Sequence, residues 1–321
     1  MANFTRGEAK SWAQETIKGF YSAPITPITV DGKIDEVKMR ENIETYIDWG
    51  VDGLVVGGFA SETWNMQPEE WFRFHDIVGD AVNGRTDLWS IILDPCADFC
   101  LRKLDHIEKL GFSGAEVMNP MTQLRTDSEI FDFFKYLTDR SDLAVCLYRT
   151  PVSGKVLSLE LMKRLVDIET VVCVKQGHLN RAESLLLRRE LRDDFIISDP
   201  IEEFFLDDLR RGGQVLFAEF SYLLYGKKRE VLRSYYNNAL RGEWETARQE
   251  WESLRPIWEI YEDEFMGPLS KTAAYARLIG VIKLWCEFLG LHAGPVTAPV
   301  QSLTGEERER LLGKLQAVDI V

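Results

Sequence analysis

Gly19-Phe20-Tyr21-Ser22-Ala23-Pro24-Ile25 and Gly53-Leu54-Val55-Val56-Gly57-Gly58 are two short apolar runs. Between them Ile34, Val37, Ile43, Tyr46 and Ile47 give one apolar face at helical spacing. Strand, helix and strand in that order read as a parallel βαβ unit, because a parallel pair needs a long crossover. The unit recurs. Leu88–Leu93, Ala115–Met118, Leu143–Tyr148, Val171–Lys175, Asp194–Ser198 and Gly213–Ala218 complete eight such runs. Ile130, Phe133, Phe134 and Leu137 mark a second helix face among them. Eight units over roughly 200 residues predict an α/β chain folded as a (β/α)₈ TIM barrel. The alternative is a doubly wound open sheet.

The barrel accounts for residues 1–221, and residues 222–321 are expected as a C-terminal helical region packed on it. Trp244, Ala247, Trp251, Leu254, Trp258 and Tyr261 step by three and four, as one helix face does. Such a stripe serves an internal core or a subunit contact. Gly242 and the pair Gly267-Pro268 are expected to break this region into about three helices, and Ile279 to Leu291 forms another.

The whole chain has 321 residues, 45% hydrophobic and 28% charged, which is ordinary for a soluble globular protein. Its formal net charge of −14 repels phosphate backbones, so nucleic acid is not the expected partner. Five cysteines without a disulfide pattern suit a reducing cytoplasm. The first 20 residues mix charges throughout and do not read as a secretory signal. No run reaches the ~18 apolar residues of a membrane span, so no membrane association is expected.

Chemistry in a TIM barrel gathers at the C-terminal ends of the strands. Lys175 ends the apolar run Val171-Val172-Cys173-Val174. A lysine there is costly unless it is paired or neutral. Lowering a lysine from ~10.4 to near 7 takes roughly 4 kcal/mol against the charged form, and a neutral amine attacks carbonyls. The other reading of Lys175 is a salt bridge to a barrel carboxylate.

The stretches Ala23-Pro24-Ile25-Thr26-Pro27, Asp31-Gly32-Lys33-Ile34-Asp35 and Gly50-Val51-Asp52-Gly53-Leu54-Val55-Val56 carry a resemblance. So do Leu147-Tyr148-Arg149-Thr150-Pro151, Val174-Lys175, Gly212-Gly213-Gln214-Val215 and the segment Ala239 to Arg248. In order and spacing, nearly end to end, the chain resembles the dihydrodipicolinate synthase and N-acetylneuraminate lyase family of Schiff-base aldolases. The resemblance implies that Lys175 condenses with pyruvate or another 2-oxo acid. The protonated imine is then the electron sink, with no metal or other cofactor. It implies Tyr148 as the proton shuttle, since a phenol both donates and accepts. It also implies a homotetramer built as a dimer of dimers.

Three departures from the family pattern bear on the substrate. The usual Gly-Thr-Thr-Gly-Glu or Gly-Ser-Ser-Gly-Glu is Gly58-Phe59-Ala60-Ser61-Glu62 here, so both hydroxyl positions are replaced. Backbone amides there still offer a carboxylate cradle, and Ser61 offers a displaced hydroxyl. The tyrosine that a neighbouring subunit commonly supplies is absent from Asn119-Pro120-Met121-Thr122-Gln123. That leaves Thr122 as a weak relay and Tyr148 as the main one. Pro151-Val152-Ser153 stands where dihydrodipicolinate synthases carry Pro-Gly-Arg, so the arginine for the second substrate is missing. These departures argue against a true dihydrodipicolinate synthase.

Further candidate substrate contacts are Arg149, His178, Leu216 and Glu219. His178 reads either as a base at the pocket mouth or as a loop histidine. Glu219 reads as a general base, a partner of Lys175 or Arg149, or a structural ion pair. Asp94 and Asp199 read as helix caps. Cys96 and Cys100 lack the partner pair of a zinc site. The expected function is therefore a Schiff-base-forming lyase — aldolase, hydratase-aldolase or dehydratase — taking a small 2-oxo acid and an aldehyde. Phe59 points to an aromatic or otherwise apolar acceptor. The competing readings are a non-catalytic or regulatory small-molecule-binding protein on the same barrel, and a phosphate-binding barrel enzyme suggested by Gly212-Gly213.

Overall fold

The computed structural model of the chain describes residues 4–121, 123–177 and 180–321. Its strands are β1 (Gly19–Ser22), β2 (Gly53–Val56), β3 (Asp87–Ile92), β4 (Gly114–Val117), β5 (Ala144–Arg149), β6 (Val171–Gln176), β7 (Ile196–Ser198) and β8 (Val215–Glu219). All eight expected runs are strands, with ends displaced by at most three residues. β1 stops at Ser22, short of Pro24, which has no N–H for a ladder. The ladders are parallel, in the order β7-β6-β5-β4-β3-β2-β1-β8. The seam between β7 and β8 is bridged by a side chain. Ser198 Oγ donates to the Val215 carbonyl (2.9 Å) and accepts from the Phe217 N–H (2.9 Å). The barrel is thereby nearly closed.

Before β1 lies α1 (Ala9–Thr16), and between the strands run α2 (Glu36–Asp48), α3 (Pro68–Val82), α4 (Ala97–Lys109), α5 (Asp127–Thr138), α6 (Leu159–Leu165), α7 (Arg181–Glu190) and α8 (Phe205–Arg210). α1 precedes the barrel and plugs its N-terminal mouth. Ala9, Ala13 and Ile17 join Tyr21, Val55, Trp89, Cys146, Val215 and Phe217 in the barrel's inner core. Trp89 meets Phe217 edge to face with ring centroids 5.1 Å apart. Gly114 makes room for it, since a Cβ there would stand 2.5 Å from the Trp89 ring. Among the described residues a helix and an aromatic layer thus fill this mouth.

After β8 come α9 (Ser221–Leu224), α10 (Arg229–Leu240), α11 (Trp244–Glu252), α12 (Arg255–Tyr261), α13 (Gly267–Thr272), α14 (Tyr275–Phe288) and α15 (Gly305–Ala317). Gly242, with φ +79°, follows the end of α10 as expected. The expected break at Gly267-Pro268 does not occur. A π-helical turn, Glu262–Met266, joins α12 to α13, and the Gly267 N–H bonds the Glu262 carbonyl five residues back. Pro268 has no N–H and would clash with a carbonyl four residues earlier, and the wider π turn accommodates both. The tryptophan stripe is divided between α11 and α12, where Ala247, Leu254 and Trp258 are core. No helix among the described residues is long and apolar enough to cross a membrane.

Candidate active site

Lys175 lies near the C-terminal end of β6, in direct register with Tyr148 on β5. Its Nζ donates to the Ala218 carbonyl (3.0 Å) and sits 4.8 Å from the centre of the Tyr148 ring. Ala218 is a bulge. The β1–β8 register passes from Tyr21↔Phe217 to Ser22↔Glu219, and Ala218 takes φ +56°. An alanine in left-handed backbone is strained, and such strain concentrates where it orients a functional group. Here it turns a carbonyl toward the lysine amine.

Glu116 on β4 completes the surroundings of the amine, with Oε2 3.9 Å from Lys175 Nζ. It is fully buried, and burial raises its pKa while the Lys175 charge opposes the rise. Both readings of Lys175 therefore meet at one place: a lysine at a cavity, beside a barrel carboxylate. Glu116 was missed from the sequence. Its signal was the same as that of Lys175, a charge inside a short apolar strand.

Tyr148 is buried, and its hydroxyl is pushed above the ordinary tyrosine range by burial and by the negative charge of Glu116. Hydrogen bonds with Thr150 and Tyr275 act the other way. Tyr275, the first residue of α14, also lies flat against Phe59 with centroids 5.0 Å apart. Tyr148 and Tyr275 thus reach the cavity from a strand and a distant helix of a single chain, with Tyr261 also on its wall. Nothing in the sequence near Tyr275 marks it, because it reaches the barrel from a helix about a hundred residues after Lys175.

The turn after β2 forms another wall. The Ser61 hydroxyl accepts from the Gly57 N–H (3.1 Å) and donates to the Pro24 carbonyl (3.0 Å), so it shapes the turn instead of facing a ligand. The N–H groups of Phe59, Ala60 and Ser61 have no acceptor among the described residues. Glu62, at φ +55°, is tied to Lys283 Nζ (2.7 Å) and to the N–H and hydroxyl of Thr297 (both 2.7 Å).

These groups enclose a cavity of about 100 Å³. Gly58, Phe59, Ala60, Ser61, Tyr148, Lys175 and Glu219 all line it. Arg149 and Leu216 do not, for one reason. Side chains alternate along a strand, so Arg149 faces away beside inward Tyr148, and Leu216 beside inward Phe217. Arg149 is buried against Glu183 (2.5 Å), Gln176 (3.1 Å) and the Leu157 carbonyl (2.7 Å). Leu216 sits in the layer between strands and helices. Glu219 pairs with neither Lys175 nor Arg149 among the described residues. It accepts from Ser22 (2.5 Å), from Ser221 and from the Tyr222 N–H (3.1 Å), locking β8 to β1 and α9. Thr122 and His178 lie outside the described residues.

A second cavity of about 180 Å³ adjoins the first. Pro200, Ile201, Phe220, Tyr261 and Met266 line both. Its far wall carries Trp258 and the carboxyl groups of Glu202, Glu203 and Glu262. The π turn thus places Met266 where the two cavities meet and Glu262 on the wall of the second.

Residues 16–318 match the model of the Dihydrodipicolinate synthetase family. A 4-hydroxy-tetrahydrodipicolinate synthase of Moorella thermoacetica is 24% identical over 303 residues, 94% of this chain and 98% of that one. One from Methanosphaera stadtmanae is 26% identical over 238 residues, covering 72% and 79%. The crystal structure of a dihydrodipicolinate synthase from Aquifex aeolicus superposes with a TM-score of 0.81 at 19% identity, covering 95% and 99%.

Proposed function

We propose that this chain, which belongs to the dihydrodipicolinate synthetase family, is a lyase that forms an imine between Lys175 and a 2-oxo acid. The observation that carries the reading is the placing of Lys175 Nζ in a cavity beside Tyr148 and Glu116. The consecutive N–H groups of Phe59, Ala60 and Ser61 supply a cradle for the acid's carboxylate. The imine nitrogen withdraws electrons from the adjacent carbon. Tyr148, a neutral phenol, carries the proton that this carbon or the acceptor oxygen exchanges.

The acceptor in this reading is apolar and uncharged. Arg149 is fully engaged away from the cavity, and the adjoining chamber is aromatic and edged with carboxylates. An anionic aldehyde would be repelled there, whereas a flat or branched apolar one would bury surface against Phe220, Tyr261 and Met266.

Borohydride reduction in the presence of pyruvate tests the first part. A reduced adduct located on Lys175, and lost with all turnover in Lys175→Ala, is the expected result. No adduct with pyruvate or with larger 2-oxo acids would overturn the lyase reading in favour of a non-catalytic binding protein. An aldehyde screen tests the second part, and preference for anionic or sugar-derived aldehydes over aromatic ones would defeat it.

A further inference from the structure

Glu116 differs from the other buried carboxyl groups at this end of the barrel. Glu219 is held by Ser22, Ser221 and the Tyr222 N–H, and Glu62 by Lys283 and Thr297. Glu202 accepts from Tyr225, Tyr235 and Trp258. Among the described residues neither oxygen of Glu116 has a hydrogen-bond partner, although the residue is fully buried and lines the cavity. Buried polar groups are almost always satisfied, and the exceptions call for an explanation. The explanation here lies in its neighbours. Lys175 Nζ is 3.9 Å away, and among the described residues Tyr148, Tyr275 and Cys146 also feel its charge.

We propose that Glu116 is a catalytic residue that exchanges the proton with Lys175 and the substrate oxygen during imine formation. The inference rests on the lysine-imine reading above. The pair as ammonium and carboxylate, or as amine and carboxylic acid, holds the same number of protons. Passing one proton across therefore frees the amine without drawing on solvent, and burial favours the uncharged arrangement. The amine attacks the carbonyl carbon. A C–N bond forms, and the carbonyl oxygen receives a proton shed by nitrogen. The Glu116 acid then protonates the resulting hydroxyl. The C–O bond breaks, water leaves, and the nitrogen lone pair closes the C=N bond. The products are a protonated imine and the Glu116 carboxylate, an ion pair in place of the neutral pair. Hydrolysis runs the same steps backward. Two family hydroxyls are absent at Phe59 and Ala60, and Glu116 supplies an acid where they do not.

The test is the rate of borohydride-trapped labelling of Lys175 by pyruvate. Glu116→Gln keeps the shape and loses the transferable proton. Labelling is expected to slow by about 100-fold or more, with an unchanged circular dichroism spectrum. Glu116→Gly opens a space for a small acid, and added formate should restore its labelling in a saturable way without accelerating the wild type. Wild-type labelling rates in Glu116→Gln would overturn the proposal. So would slow labelling in Glu116→Gly that formate cannot recover, which marks a packing role only. No labelling of the wild type itself would instead reject the imine, and with it this step.

Discussion

In the proposed lyase reaction, proton transfer is divided between Tyr148 on a strand and Tyr275 on a C-terminal helix. The Tyr275 ring packs on Phe59 while its hydroxyl meets Tyr148, so Tyr275→Phe separates the two contributions. The ring stack survives and only the hydroxyl is lost. The expected effect is a fall of about 10- to 100-fold in deuterium exchange from solvent into the pyruvate methyl group, with KM changed less than threefold. Proton nuclear magnetic resonance measures this without knowledge of the acceptor, and an unchanged exchange rate would remove Tyr275 from the relay. At this scale Lys175 stood out because a charge at the end of an apolar strand is conspicuous, whereas Tyr148 was singled out through the family resemblance. Arg149 was counted as a contact although its place beside Tyr148 on one strand already allowed the opposite facing, which the fold adopts. Tyr275 was illegible, since no local pattern says which distant helix residue will cover a barrel mouth.

The turn between β2 and α3 is positioned from outside itself. Glu62 in left-handed backbone holds Thr297, and Lys283 on α14 holds both Glu62 and the Pro295 carbonyl (2.6 Å). Burial draws the Lys283 ammonium below its ordinary pKa, and the Glu62 charge opposes that. Removing one member of a buried pair strands the other, which typically costs about 3–5 kcal/mol. Lys283→Met should therefore lower the unfolding free energy by that amount in urea titrations. The paired change Lys283→Met with Glu62→Gln should regain most of it. A single variant as stable as the wild type would mean that solvent already reaches the pair. Because Phe59 and Ala60 belong to the same turn, the single variant should also weaken binding of the 2-oxo acid. The motif ending in Glu62 could be read from sequence as a loop, but its anchor over two hundred residues away could not.

At the scale of the whole molecule, the barrel was legible because each of its eight strands carries its own apolar run, and the order of runs fixes a parallel connection. The helices after Ser221 were legible as helices but not in their docking, which depends on long-range contacts without local signature. Glu202 shows the difference. In sequence it is one acid of the pair Glu202-Glu203, with nothing to mark it. In the fold it sits between the β7–β8 crossover and α10 and α12, accepting from Tyr225 (2.9 Å), Tyr235 (2.6 Å) and Trp258 Nε1 (2.5 Å). Burial lifts its pKa from 4.5 to about 7, against the pull of those three donors. Between these two values the folded chain keeps a proton that the unfolded chain has released, so stability falls as pH rises. The stabilising contribution is complete below the unfolded value and is lost as pH climbs through about 7, a change of about 3 kcal/mol. Glu202→Gln keeps an acceptor oxygen and cannot ionise. Urea unfolding from about pH 5 to about pH 8 should show the wild type losing stability and the variant holding a flatter line. Parallel slopes for the two proteins would place the pH sensitivity elsewhere and leave Glu202 ionised in its cage of donors throughout.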